Sequence, residues 1–141
     1  MSKPILKIES IATLDELALR ELVFVQEQGV TIEEEHCDDE SLFLHLNLYC
    51  DSELVACCRL SIQKDIAHIG RVAVRREYRK RGFGSIMMKH AHDYARMKGC
   101  TSVEISAQIS AFDFYKKLGY VQFGDKYLDA RILHIDMSLD L

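Results

Sequence analysis

The 141-residue chain lacks most of the features that would set it apart from an ordinary globular protein. No apolar run reaches the roughly 18 residues that a membrane-spanning helix needs, so no membrane association is expected. Its first residues, Met-Ser-Lys-Pro-Ile-Leu-Lys, have neither the apolar stretch nor the cleavage site of a secretory leader, and a cytoplasmic location is the expectation. There is one proline, Pro4, and no repeat, low-complexity tract or linker, which points to one domain over residues 1–141. The five cysteines are odd in number and include no Cys-x-x-Cys pair, which argues against a disulfide framework or a zinc site. Cys50, Cys57 and Cys58 lie in apolar segments and read as reduced core thiols. With a net charge of −4 the chain also lacks the basic excess of a general nucleic-acid binder.

Charge is present in abundance but unevenly placed. Residues 33–40 are strongly acidic and residues 75–81 strongly basic. Such paired patches point to an anionic ligand at one place and leave two readings for the other, a docking site for a cation or a solvated loop.

Hydrophobic patterning gives the elements. Residues 4–9 read as a strand. Thr13 and Glu16 have capping-box spacing, and Leu14, Leu17, Ala18, Leu22 and Val25 follow at helical intervals up to Gly29. Residues 42–50 and 54–63 form a hairpin about Asp51-Ser52, and residues 66–74 form another strand. A helix of about 83–98 carries Phe83, Ile86, Met87, Ala91 and Tyr94 on one face. Val103, Ile105 and Ala107 alternate with polar residues as in a strand buried on one face. A short helix from Ser110 to Gly119 and a final hairpin, 120–128 with 132–139, complete the order β-α-β-β-β-α-β-α-β-β. The fold class is α/β, with a mixed central sheet flanked by helices.

The most informative segment is Val72-Ala-Val74 followed by a basic loop and Gly82-Phe-Gly84. A helix begins here, and the first backbone N–H groups of a helix have no partner within it. Glycines let that backbone approach a ligand closely, and Arg79, Lys80 and Arg81 supply positive charge, so the turn is suited to phosphate. It is neither a P-loop, since no Gly-Lys-Ser/Thr follows, nor a Gly-x-Gly-x-x-Gly turn, since residue 87 is Met.

Arg79-Lys-Arg-Gly82-Phe-Gly84, placed between a strand and an amphipathic helix, resembles the Arg/Gln-x-x-Gly-x-Gly/Ala signature of GNAT acetyltransferases. Phe114-Tyr115-Lys-Lys-Leu-Gly119-Tyr120 resembles a second segment of that family. Val23-Phe-Val-x-Glu27-Gln28, Asp38-Asp39, Gly70-Arg71-Val72, Ala107-Gln108 and His134-Ile-Asp-Met137 are similar to the ElaA-like branch. Ala130-Arg-Ile-Leu133 departs from that branch, in which a glycine and a proline often precede the histidine.

The resemblance implies a GNAT-type sheet, acetyl-CoA as cosubstrate with no metal, and an amine acceptor of unidentified structure, small or peptidic. It implies a cofactor site of Val72, Ala73, Val74, Arg79, Lys80, Arg81, Gly82, Phe83, Gly84, Ser85 and Gln108, with the pantetheine held by the backbone of Val72–Val74. A homodimer is common in such folds. Tyr115 is the candidate acid for the leaving thiolate, because a phenol stays protonated at neutral pH. Glu27, His134 and His36 are the side chains that could take the amine's proton, as could a base acting through water. Arg71 and Gln108 are polar residues in apolar strands, with either a structural role or a place in the acceptor cleft. The alternative function is a non-catalytic acyl-CoA-binding sensor or interaction module.

Overall fold

The computed structural model describes residues 3–141. Seven strands form one sheet: β1 (Ile5–Glu9), β2 (Leu44–Cys50), β3 (Glu53–Gln63), β4 (Ile66–Val74), β5 (Ser102–Gln108), β6 (Val121–Asp129) and β7 (Ile132–Asp140). Their spatial order is β1-β2-β3-β4-β5-β7-β6, with β4 and β5 parallel and the other neighbours antiparallel. The helices are α1 (Leu14–Arg20), α2 (Ile32–Glu35), α3 (Phe83–Met97) and α4 (Phe112–Lys117). The expected element order stands, with α2 and a short 3-10 turn, Glu40–Leu42, added inside the acidic segment.

Alternation along the strands divides the core in two. On one face Leu46, Leu48, Ala56, Cys58, Leu60, Val103 and Ile105 pack against Met87, Met88, Ala91 and Ala95 of α3. On the other face Leu54, Cys57 and Ala73 meet Leu19, Val23 and Phe24. Cys50, Cys57, Cys58 and Cys100 are buried and in no disulfide, while Cys37 is exposed.

The first helix departs from its sequence pattern. Thr13 caps it, accepting from the Glu16 N–H at 3.2 Å. The side chain of Glu16, however, does not return to the cap; it is buried with Arg20. Leu14 is 85% exposed, so the buried face is Glu16, Leu19, Arg20, Val23 and Phe24 rather than the expected apolar stripe. After Arg20 the chain continues as a π-helix, Glu21–Glu27, whose wider turns leave the 3.6-residue period.

What α1 buries is an ion-pair network. Arg20 donates to Glu35 (2.6 Å), Glu40 (2.7 Å) and Glu16 (3.0 Å), and His45 Nδ1 lies 2.7 Å from Glu16. Arg59 donates to Glu40 at 3.0 Å and to Asp38, and Arg71 lies 3.3 Å from Glu35. Arg131 reaches Glu34 at 2.9 Å from the β6–β7 turn. Much of the acidic segment is therefore neutralised by arginines of the fold, and α2 is held down by them.

Burial alone would raise the carboxyl of Glu40, but the hydrogen bonds and charges of Arg20 and Arg59 outweigh it and hold the group at about 2, against a usual value near 4.5. A depressed carboxyl stabilises the folded chain above its unfolded pKa and loses that contribution as pH falls towards its folded pKa. The stability gap between wild type and Glu40→Gln should thus be full at pH 7 and narrow between about 4.5 and about 2. Thermal melts at stepped pH check this; a gap that stays constant across that window would contradict it.

Candidate active site

The parallel pair β4–β5 comes apart half-way along its length. Register runs from Ile66↔Ser102 to Ile69↔Ile105 and then stops, while β5 continues alongside β7 as far as Gln108↔His134. The cause lies in β4. Its pairing with β3 slips between Arg59↔Gly70 and Cys57↔Ala73, and Arg71 takes a left-handed φ of 49°. An extra residue in one strand bends it and increases its twist. Arg71 is anchored in that conformation by the carbonyls of Glu34 (3.3 Å) and Glu35 (3.2 Å). Beyond the bulge, the edge of Gly70–Val74 that would face β5 has backbone groups with no sheet partner, which is where an extended ligand can pair with the chain.

The end of β4 leads into the basic turn. Arg75 N–H bonds Val55 O at 2.7 Å, a 3-10 turn covers Arg76–Tyr78, and Gly82 opens α3 with φ 85°. No side chain caps α3, so the N–H groups of Phe83, Gly84 and Ser85 point out of the helix start without an intrahelical acceptor. Gly84 is needed for close packing. A Cβ there would meet Phe114 at 3.3 Å and Val74 at 3.4 Å, so α3, α4 and β4 converge on this turn.

Arg79 is less free than its place in the motif implies. Its Nε bonds Val74 O at 2.9 Å and its two terminal nitrogens grip Glu27 at 2.8 and 2.9 Å. It braces the loop between β4 and the π-helix. Arg76 and Lys80 make no ion pair or hydrogen bond among the described side chains, and Arg81 stacks over Tyr78 at 5.3 Å. The positive charge left for an anion at this turn comes from these three.

Tyr115, on α4, is 7% exposed, set edge-on against Phe114 (5.0 Å) and Tyr120 (5.6 Å). Its hydroxyl has no hydrogen-bond partner among the described residues, and burial pushes its pKa well up. It is a phenol that stays protonated. The carboxyl of Glu27 is pulled below its usual range by the hydrogen bonds from Arg79, which makes it a weak proton acceptor. His36 is exposed, 3.6 Å from Glu35, within the acidic segment.

His134 lies opposite Gln108 at the open end of β5. Its Nδ1 is 2.7 Å from the carbonyl of Ile132, so that nitrogen donates, and Nε2 has no hydrogen-bond partner among the described residues. Gln108 in turn donates to Gln28 at 2.7 Å, tying β5 to the end of the π-helix.

The same face holds groups that sequence reasoning passed over. Tyr127 stacks on His134 at 5.9 Å, donates to Asp136 at 2.6 Å and contacts the hydroxyl of Ser106. His68 and Glu104 face each other across β4 and β5. The period of two along each strand carries the signal: Asp136 follows His134, and Ser106 and Glu104 precede Gln108, at steps of two.

A family model described as the Acetyltransferase (GNAT) family matches residues 10–120. The uncharacterized N-acetyltransferase YjcF of Bacillus subtilis (strain 168) is 35% identical over 127 residues, covering 89% of this chain and 91% of its own. An acyl-CoA N-acyltransferase from Pseudomonas aeruginosa superposes with a TM-score of 0.82 at 30% identity, covering 96% of this chain and 99% of its own. ElaA of Escherichia coli superposes with a TM-score of 0.81 at 24% identity, over 97% of this chain and 99% of its own, which bears out the resemblance in fold. No helix among the described residues is long and apolar enough to cross a membrane. With the splayed β4–β5 pair, the uncapped glycine turn and a matching family model over most of its length, this chain belongs to the GNAT family and is an acetyltransferase.

Proposed function

We propose that this chain, acting as one acetyl-CoA-binding domain, transfers the acetyl group of acetyl-CoA to a primary amine by direct attack. The observation that carries the reading is the uncapped start of α3 standing directly behind the splayed edge of β4. The N–H groups of Phe83, Gly84 and Ser85 hold the pyrophosphate, with Arg76, Lys80 and Arg81 adding charge. Arg79 shapes the loop through Val74 O and Glu27. The open edge of Val72, Ala73 and Val74 pairs with the pantetheine amides, and Gln108 borders it from β5. A backbone N–H on that edge stabilises the thioester oxygen as it gains charge, an effect worth on the order of 100-fold in rate.

The acceptor approaches from the face that carries His134. A primary amine is mostly protonated at neutral pH, so a proton must leave before nitrogen can attack. Nε2 of His134 takes that proton, directly or through water; Glu27, held by Arg79, is the weaker candidate. The nitrogen bonds to the thioester carbon, the carbon–sulfur bond breaks, and Tyr115 gives its proton to the departing thiolate.

Incubation with acetyl-CoA and a panel of primary amines, read by product mass, tests the proposal. The expected result is a gain of one acetyl group on at least one amine. Mass detection is preferred to a thiol colour assay because Cys37 is an exposed thiol. Tight acetyl-CoA binding without a product from any amine class would leave a non-catalytic binding module.

A further inference from the structure

Further along the strands from His134 lies a cavity of about 320 Å³, lined by His68, Glu104, Ser106 and Asp136 with Phe43 and Phe123 as walls. Its charge is unbalanced. Arg59, which also lines the cavity, is already spent on Glu40 and Asp38 and lies over Phe43 at 4.0 Å. Glu104 has no hydrogen-bond or ion-pair partner among the described residues, and Asp136 receives only the neutral hydroxyl of Tyr127. Two carboxylates and two aromatic rings around one cavity make a site for an organic cation. They do not make a metal site. Among the described residues, the side chains whose ligand atoms converge within 4.8 Å are Glu16, Glu40 and His45, and the guanidinium of Arg20 already fills the space between Glu16 and Glu40.

Register sets the distance from the cavity to the reacting amine. On β7, Asp136 lies two residues beyond His134; on β5, Glu104 lies four residues before Gln108, the partner of His134. At about 3.4 Å per residue the carboxylates stand roughly 7 and 14 Å along the strands from the His134 level.

We propose that this cavity binds a second, protonated nitrogen of the acceptor, through Glu104 and Asp136, so that the substrate class is an aliphatic diamine or polyamine. The inference rests on the amine-acetylation reading and gives it a specificity site. One nitrogen, deprotonated at His134, attacks, while the other stays charged in the cavity. The acidic segment 33–40, the other stretch rich in carboxylates, has four of its six acids, Glu34, Glu35, Asp38 and Glu40, already held by arginines.

Calorimetry on the full chain, with and without saturating coenzyme A, compares 1,5-diaminopentane, n-pentylamine and 1,2-diaminoethane. The expected order is 1,5-diaminopentane at least tenfold tighter than either of the others; 1,2-diaminoethane also has two amino groups but cannot span about 7 Å. Glu104→Gln and Asp136→Asn, checked for unchanged melting, should each remove most of that preference. In turnover, Glu104→Gln should raise KM for 1,5-diaminopentane about tenfold with a smaller change in kcat. Equal affinity of the wild-type chain for the three amines, or a preference that survives both substitutions, overturns the inference. Binding of coenzyme A without diamine preference leaves the acetyltransfer reading standing. Diamine preference without coenzyme A binding leaves the cavity standing and removes the acetyltransfer reading.

Discussion

Tyr115→Phe should lower kcat by about 100-fold or more, with acetyl-CoA affinity and melting temperature nearly unchanged. The substitution removes one oxygen and keeps the ring in its edge-on contacts with Phe114 and Tyr120. No hydrogen bond of the fold is lost, because the hydroxyl has no partner among the described residues. A role confined to packing would therefore leave turnover intact, and the rate separates the two readings. The loss should shrink with an acyl donor whose leaving thiol is more acidic, since a better leaving group needs less help from an acid. Burial pushes the phenol's pKa up, so its deprotonation should not appear in the pH–rate profile at neutral or mildly alkaline pH. Full turnover in the variant would assign Tyr115 to the core and leave solvent to protonate the thiolate.

The legible parts of this protein are those in which local chemistry and fold agree. Asp51-Ser52 reads as a tight turn, and both residues have positive φ. Ala130-Arg131, the stretch that departs from the ElaA-like pattern, makes an equally tight turn by the same means, with φ 48° and 65°. The strand from Ile66 to Val74 and the helix opened by Gly82 stand where alternation and the glycines put them.

The misread parts depend on contacts distant in sequence. Leu14, Leu17 and Ala18 have helical spacing, yet the fold buries Glu16 and Arg20 because Glu35, Glu40 and His45 arrive from elsewhere to satisfy them. Burial of charge is affordable only with such partners, and no local window contains them. Arg79 is a related case. Its motif position marks it for the phosphate, and Glu27, fifty-two residues away, also grips its guanidinium. The bulge at Arg71 has no signal of its own, since a non-glycine residue at φ 49° is held there by the carbonyls of Glu34 and Glu35. Arg71 also lies 3.3 Å from the carboxylate of Glu35, and the sheet opens beyond it.

The second large effect is expected at Gly82. Its φ of 85° lies in the left-handed region, so any side chain there carries some backbone strain, though Asn and Asp tolerate it better than most. A Cβ would meet no protein atom within 4 Å, so the space in front of Gly82 is open. Gly82→Asn and Gly82→Asp share the backbone strain and nearly the same bulk, and differ by one negative charge. If the start of α3 holds the pyrophosphate, the asparagine variant should bind acetyl-CoA somewhat more weakly than wild type. The aspartate variant should then bind at least about 100-fold more weakly still, because its carboxylate meets the phosphates where the helix dipole would otherwise favour them. Titration of acetyl-CoA into the three proteins by calorimetry is the most direct measurement. The account predicts binding by wild type, with affinity falling in the order Gly, Asn, Asp; no binding to the wild-type chain, or one affinity for all three, would contradict it.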